Sequence, residues 1–403
     1  MELKETADTF PKLLVENARR FGEKIALREK EFGIWQSFSW GDYCDRVRDL
    51  SLGLLALGMQ RGDKVAIIGD NRPEWVYSEI AAQSLGGAAV GLYQDSNLNE
   101  VAYVIDHCDA AFVVAEDQEQ VDKVLGMLEK LPKVKRVIYT DPRGLRDYKH
   151  PALLSFDAVA QSGRKLLGSE PECWLESVRR GRADDLALIS YTSGTTGFPK
   201  GAMLSFRNLL TMALNLHEVD PKKPSDEFVS FLPLAWIGEQ MMSLSTALAV
   251  GFTVNFPEEP ETAMENIREI GPQVMFAPPR IWENLSSAVQ VKMMDATPLK
   301  RLAFGALMPV GYKLAECRFK REVIPLHWQL LYRLAELGLF RSLRDRLGLS
   351  FVRSGSTGGA ALGPDVFRFF HAIGVPLKQI YGQTEISGIS CIHRDGDIQF
   401  GTV

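Results

Sequence analysis

The stretch Ile189-Ser190-Tyr191-Thr192-Ser193-Gly194-Thr195-Thr196-Gly197-Phe198-Pro199-Lys200-Gly201-Ala202-Met203 decides the reading of this chain. An apolar run, Ala187-Leu188-Ile189, leads into it as a strand, and Arg207 to Leu216 reads as a helix after it. Between Tyr191 and Lys200 stand Thr192, Ser193, Gly194, Thr195, Thr196 and Gly197. Glycines let backbone N–H groups come close to an anion, and successive N–H groups form a concave anion site. The hydroxyls add donors or hard-cation ligands, and Lys200 adds a mobile positive charge. The target that fits is a polyphosphate, ATP. A Walker A loop would need glycine five residues after Gly194 and a hydroxyl residue after the lysine. Pro199 and Gly201 occupy those places, so that reading fails at two fixed positions.

Working outward, two later turns have a similar character. Ser350 to Gly355 reads as a strand running into Gly358-Gly359-Ala360, where backbone can approach a flat ring such as adenine. A tight turn without a ligand is the other reading of that pair of glycines. Leu377 to Ile380 reads as a strand entering Tyr381-Gly382-Gln383-Thr384-Glu385, which offers an aromatic face, a hydroxyl and a carboxylate. Mg²⁺ keeps substrate phosphates and waters and takes one or two protein groups. Glu385 suits that role, with Thr192 as a hydroxyl partner. The bland alternative for Glu385 is a carboxylate serving a helix N-terminus.

Tyr191 to Gly201 resembles the phosphate-binding signature of the adenylate-forming enzymes: acyl-CoA synthetases, luciferases and the adenylation domains of peptide synthetases. The two later turns, in order and separation, are similar to that superfamily's adenine loop and its Tyr-Gly-x-Thr-Glu motif. Leu232-Pro233-Leu234-Ala235-Trp236-Ile237-Gly238-Glu239 resembles its Leu-Pro-Leu-x-His-x-x-Glu segment beside the acyl pocket, with Trp236 in place of the histidine. Trp236 could wall an apolar tunnel or simply pack in the core. The subgroup it looks most like is a bacterial long-chain fatty acyl-CoA synthetase, N-terminal portion only.

The resemblance implies ATP-dependent activation of a carboxylic acid to an acyl-adenylate, then thioester formation with coenzyme A. ATP, Mg²⁺ and coenzyme A are the implied cofactors, and a long-chain fatty acid the implied substrate. Catalytic roles fall on Thr192, Lys200 and Glu385, and metal contact on Thr192 and Glu385. Nucleotide contact falls on residues 192–197, Lys200, Gly358, Gly359, Ala360, Tyr381, Gly382, Gln383 and Thr384. Substrate contact falls on Trp236 and Gly382. The family's ribose-binding Asp, its hinge and its lysine-bearing C-terminal domain lie about a hundred or more residues beyond Glu385, and this chain stops at Val403. The expectation is therefore a fragment of the enzyme that binds ATP weakly and adenylates poorly. Two other classes fit less of the sequence. One is an amino-acid or aryl-acid adenylation domain; the other is a catalytically silent nucleotide- or fatty-acid-binding module.

The fold class expected is α/β: two stacked α/β subdomains, with sheets flanked by helices, and the start of a small β subdomain. Alternation of apolar strands and amphipathic helices from Phe10 to Tyr139 argues for the first subdomain, residues 1–185. Arg143 to Glu170 reads as looser. The rhythm restarts in a second subdomain, 186–375, where Phe228 to Leu234 reads as a strand. Residues 376–403 begin the β subdomain, and Asp397 to Val403 reads as β. A helical insertion, 280–348, carries Leu330, Leu331, Leu334, Leu337, Phe340 and Leu343 near helical spacing, with eight Lys or Arg against four Asp or Glu between Gly311 and Leu347. A basic amphipathic segment can lie on an anionic membrane or face an anionic cofactor. The reading adopted is a core-facing stripe with a solvated outer face.

Composition sets the remaining bounds. The 403 residues, 46% apolar and 24% charged, can fold as two or three globular subdomains. A net charge of −5 gives no basic field for nucleic acid. Cys44, Cys108, Cys173, Cys317 and Cys391 are scattered without a C-x-x-C pair, as in a reduced compartment. With no apolar signal segment at the N-terminus, a cytoplasmic location is expected, with peripheral membrane contact as an option.

Overall fold

Short, wholly apolar runs bounded by glycine or acidic turns form strands buried on both faces. In the computed structural model, which describes residues 5–192, 198–399 and 401–403, such runs make several of the inner strands, and more polar runs make the rest. They are β1 (Ile25–Glu31), β2 (Ile34–Ser39), β3 (Lys64–Ile68), β4 (Ala88–Leu92), β5 (Ala110–Ala115), β6 (Arg136–Tyr139), β7 (Leu153–Ser155) and β8 (Leu186–Thr192). There follow β9 (Lys200–Ser205), β10 (Glu227–Val229), β11 (Thr253–Phe256), β12 (Val274–Ala277), β13 (Ser354–Thr357), β14 (Leu377–Tyr381) and β15 (Cys391–Ile392). Two compact units divide the chain: Met1–Asn215 with Ser230–Pro260, and Leu216–Val229 with Glu261–Val403.

The first unit holds a seven-stranded sheet in the order β7-β6-β5-β3-β4-β8-β9. Every pairing in it is parallel except β8 with β9. Val90, Val113 and Val137 sit in one cluster with Val101, Ile105 and Val121 from the helices Leu98–His107 and Gln118–Leu125. The first of these helices opens on a capping box, Asn97 with Glu100, which satisfies N–H groups that would otherwise lack partners. A second set of strands, β2-β1-β11, pairs β1 antiparallel to β2 and parallel to β11.

In the second unit β10, β12, β13 and β14 pair in parallel, and β15 closes antiparallel on β14. The buried Lys378 Nζ donates to Asp220 Oδ1 at 2.8 Å and lies 2.8 Å from Asp395 Oδ1. The equally buried Lys222 also bonds Asp220, and Ser354 Oγ donates to it at 2.6 Å. Desolvation would raise the Asp220 carboxyl, yet its two lysines hold it down to about 2.

Both units are sheets flanked by helices, the α/β class the sequence indicates. Several local readings are corrected. Arg143 to Glu170 is not loose: Ser155 caps a helix, Phe156–Ser169, that buries Phe156, Val159 and Ala160. Its Gly163 lies against Asp49 O, where a Cβ would come within 1.8 Å. The expected strand over Phe228 to Leu234 stops at Val229, and that over Ser350 to Gly355 begins only at Ser354. The C-terminal end gives an isolated bridge, Arg394 with Asp397, instead of a strand. Within 280–348 the helices Pro298–Phe319 and Leu326–Ala335 form as the spacing requires. The leucine stripe, however, faces outward: only Phe340 and Leu343 are buried, while Leu330, Leu331, Leu334 and Leu337 are exposed.

Candidate active site

The glycine- and hydroxyl-rich segment joins two antiparallel strands. Thr192 ends β8, Lys200 opens β9, and the two are partners across the ladder. The element after the loop is thus a strand, whereas a Walker A loop runs into a helix. Residues 193–197, which carry most of the expected phosphate contacts, lie outside the described residues. Their flanks are held from the helix Leu98–His107. Tyr103 stacks on Phe198 (4.9 Å between centroids, 25°) and on His107 (5.1 Å, 24°). Its hydroxyl donates to Pro199 O at 3.1 Å. His107 Nδ1 shares a 2.7 Å hydrogen bond with the Tyr191 hydroxyl, which burial keeps protonated well above the ordinary phenol range. Thr192 is half-buried, and the Lys200 side chain is exposed.

In the second unit the adenine-type turn and the Tyr-Gly-Gln-Thr-Glu turn leave β13 and β14, adjacent parallel strands, at the same end. Ligands in α/β sheets bind at that carboxyl end. Gly359 has φ +86°, a conformation side chains rarely adopt. The buried Gln379 on β14 fastens the turn: its Nε2 donates to Thr357 O (3.3 Å), Ala360 O (3.0 Å) and Ile380 O (3.1 Å). Its Oε1 accepts from Leu362 N at 3.2 Å. Beyond β14, the chain doubles back so tightly that a Cβ on Gly382 would fall 1.6 Å from Gly388 O. Tyr381, half exposed, accepts a 3.0 Å hydrogen bond from Gln383 Nε2. Thr384–Ile386 is a single 3-10 turn, and Glu385 stands on it exposed.

The Leu232 to Glu239 segment packs under the first unit's sheet. Gly91 on β4 has no room for a side chain, because Ala235 Cα would lie 2.8 Å from its Cβ. Trp236 is half-buried and precedes the helix Ile237–Gln240, which continues through a π-helical turn, Met241–Thr246. Such turns are frequent at functional sites. Two carboxylates are wholly buried beside it. Glu239 accepts from Ser243 Oγ (2.6 Å), and Glu79 accepts from Gln240 Nε2 (2.7 Å) and Gln83 Nε2 (3.2 Å). Burial pushes each carboxyl up to about 7 against those hydrogen bonds.

Residues 14–403 match the AMP-binding enzyme family. The chain belongs to that family. Among curated relatives, the long-chain-fatty-acid–CoA ligase ACSBG2 of Rattus norvegicus is 30% identical over 96% of this chain and 58% of its own length. The Homo sapiens counterpart is 30% identical over 95% and 57%. The chain thus spans under three-fifths of the length of these relatives. Among solved structures, the anthranilate CoA ligase AuaEII in complex with anthranoyl-AMP superposes with a TM-score of 0.73 at 20% identity, covering 100% of this chain and 65% of that one. A long-chain-fatty-acid-CoA ligase (FadD1) from Archaeoglobus fulgidus gives 0.69 at 18%, covering 96% and 66%. At those identities the likeness is one of fold.

Within this AMP-binding chain, the expected residues group by unit. Thr192, Lys200 and Trp236 lie in the first unit; Gly358, Gly359, Ala360 and Tyr381 to Glu385 lie in the second. Sequence reasoning missed the residues that hold these turns: Tyr103, His107 and Gln379. Two adjacent polar residues, Lys378 and Gln379, inside a short strand that is wholly buried up to Ile380 were the available signal for Gln379. Nothing in the spacing of Tyr103 and His107 points across to Phe198 and Tyr191.

Proposed function

We propose that the chain carries the nucleotide- and acid-binding part of an enzyme that activates a long-chain fatty acid with ATP and passes the acyl group to coenzyme A. The observation that carries this reading is the family match over residues 14–403, with curated relatives of that activity along 96% of the chain. A carboxylate is a poor acyl donor because its leaving group would be oxide. Attack of a carboxylate oxygen on the α-phosphorus of ATP forms a mixed anhydride, and the bond to the β-phosphate breaks with release of pyrophosphate. Such transfer needs positioning and charge neutralisation more than covalent help from the protein.

In this reading the segment from Thr192 to Lys200 receives the β- and γ-phosphates, with Lys200 as their counter-charge. Gly358 to Ala360 takes the adenine edge, Tyr381 its face, and Thr384 the α-phosphate. Mg²⁺, when bound with the nucleotide, neutralises phosphate charge. Glu385 and Thr192 would be its protein ligands. One exposed carboxylate and one hydroxyl fit an ion that keeps most of its ligands as water and phosphate. Among the described residues there is no group of three or more His, Cys, Asp or Glu that could hold a metal ion. Trp236 and Gly382 border the acid. Coenzyme A then supplies the thiolate that attacks the acyl carbonyl, with AMP leaving.

Calorimetry with Mg-ATP, followed by acid-dependent AMP release across carboxylic acids of increasing chain length, tests the proposal. The expected result is weak but saturable nucleotide binding, with slow turnover that favours long chains. Heat from a fatty acid but none from Mg-ATP would overturn it in favour of a lipid-binding module, and selectivity for amino or aryl acids would overturn the substrate class.

A further inference from the structure

The helix Leu326–Ala335, continued by the turn Glu336–Phe340, turns its apolar row away from the protein. Leu326, Leu330, Leu334 and Leu337 are 70%, 52%, 64% and 75% exposed, at spacings of four, four and three residues. That is a single stripe along one helical face. The opposite face is the buried one: Ala335 and Phe340 have no exposed surface, and Gly311 of the neighbouring helix meets Phe340. The exposed stripe is therefore not a core seam left ajar, because this helix already has its packing face. Arg333 stands three residues from Leu330 and four from Leu337, and Arg341 four from Leu337, so both border the stripe, and both are exposed. Among the described residues neither forms an ion pair. The nearby carboxylate, Glu336, lies off the stripe and is bound by Arg344 (2.9 Å). The outward face thus combines four leucines with two bordering arginines, and the exposed carboxylate Asp345 lies one turn beyond Arg341.

We infer that this face docks on an anionic lipid surface. Leucines at the boundary between headgroups and acyl chains, with arginines reaching lipid phosphates, match its chemistry. A protein groove of opposite charge would satisfy the arginines but would need its own apolar trough; a lipid surface supplies both at once. No described helix is long and apolar enough to cross a membrane, so the contact is interfacial.

Co-sedimentation of the whole chain with vesicles tests this, using phosphatidylcholine alone and phosphatidylcholine with about a third phosphatidylserine. Tight binding only to the anionic vesicles is expected, weakening with salt. Leu330→Ser with Leu334→Ser and Leu337→Ser should lower the partition coefficient at least tenfold. Arg333→Gln and Arg341→Gln should each lower it about fivefold on anionic vesicles. The control is Phe32→Ser with Ile34→Ser in the β1–β2 hairpin, where two other large apolar side chains are exposed; it should change nothing. Since every substituted residue is exposed, unchanged thermal melting will show that the variants fold. Equal binding to neutral and anionic vesicles, loss of binding in the hairpin control alone, or no binding at all would overturn the inference. So would a concentration-dependent dimer that the triple leucine variant abolishes while vesicle binding persists, since the stripe would then serve a second copy.

Discussion

The flanks of the glycine- and hydroxyl-rich segment between β8 and β9 and the two turns after β13 and β14 are held in different ways. In the first unit the holding is done by side chains: Tyr103 stacks on Phe198, and His107 bonds Tyr191. In the second it is done by backbone proximity and one buried amide: Gly382 lies under Gly388 O, and Gln379 bonds four main-chain groups around residues 357–380. Aromatic stacks have broad minima and bend with a mobile ligand such as a triphosphate. A turn closed atom against atom either fits or does not, which suits a rigid ring. Substitutions should therefore be graded in the first unit and abrupt in the second.

The sharpest test is Gly382→Ala. The new methyl cannot coexist with Gly388 O, so the turn must open. A cost of about 3 kcal/mol or more is expected, near the upper end for forcing atoms into a packed site. Calorimetry should show Mg-ATP affinity reduced a hundredfold or more. A tenfold loss or less would erase the contrast.

Next comes the buried carboxylate beside the π-helical turn, a case of side-chain holding inside the first unit. With its carboxyl raised from 4.5 to about 7, Glu239 binds more protons folded than unfolded between those values. Its contribution to stability is full below about pH 4.5 and is lost as the pH rises through about 7, up to about 3 kcal/mol. Glu79, raised to about 7 as well, adds a slope of the same sign, so urea unfolding from pH 5 to 8 should show their sum, and Glu239→Gln should remove about half of it. A slope unchanged in the variant would place the titration elsewhere.

Gln379→Leu removes the amide that fastens the adenine-type turn and strands main-chain groups. The expected loss is about 2 kcal/mol, a roughly thirtyfold weakening for the nucleotide with less change for inorganic pyrophosphate. Equal loss for both ligands would mean general unfolding of the second unit. Smallest is the aromatic brace. Tyr103→Ala should cost about 1 kcal/mol in Mg-ATP affinity, and Tyr103→Phe, which keeps the stack and loses the bond to Pro199, less than half of that. A tenfold loss from the phenylalanine variant would reverse the assignment of stacking over hydrogen bonding.

What could be read beforehand follows the same division. The turns stand out in the sequence by composition, with glycines that permit close approach and hydroxyls that suit a phosphate. β3, β4, β6 and β12 were legible because short apolar runs with flanking turns have few other outcomes. β9 was not, since Lys200-Gly201-Ala202 has little strand character and pairs only through its partner β8. The helix Phe156–Ser169 was hidden by its charged and small residues, though Ser155 and Gly163 mark its cap and its contact. The leucine stripe shows a limit of periodicity: spacing says which residues share a face, while direction depends on which neighbour the helix packs against. Gln379 and the Glu79–Gln240 pair are polar groups in apolar surroundings, and only their partners in space explain them.

The second unit is discontinuous, and this bears on how the chain is made. Asp220 and β10 leave the ribosome early, yet Ser354 and Lys378, which bond that aspartate, follow more than a hundred residues later. At ordinary elongation rates the wait is roughly ten to thirty seconds. Throughout it, Asp220 and Lys222 remain hydrated and β10 lacks its place in the finished sheet, while the intervening Ser230–Pro260 can already settle into the nascent first unit. Vectorial synthesis thus imposes an order of assembly, and a ribosome stalled before residue 378 would display a folded first unit trailing an unclosed strand.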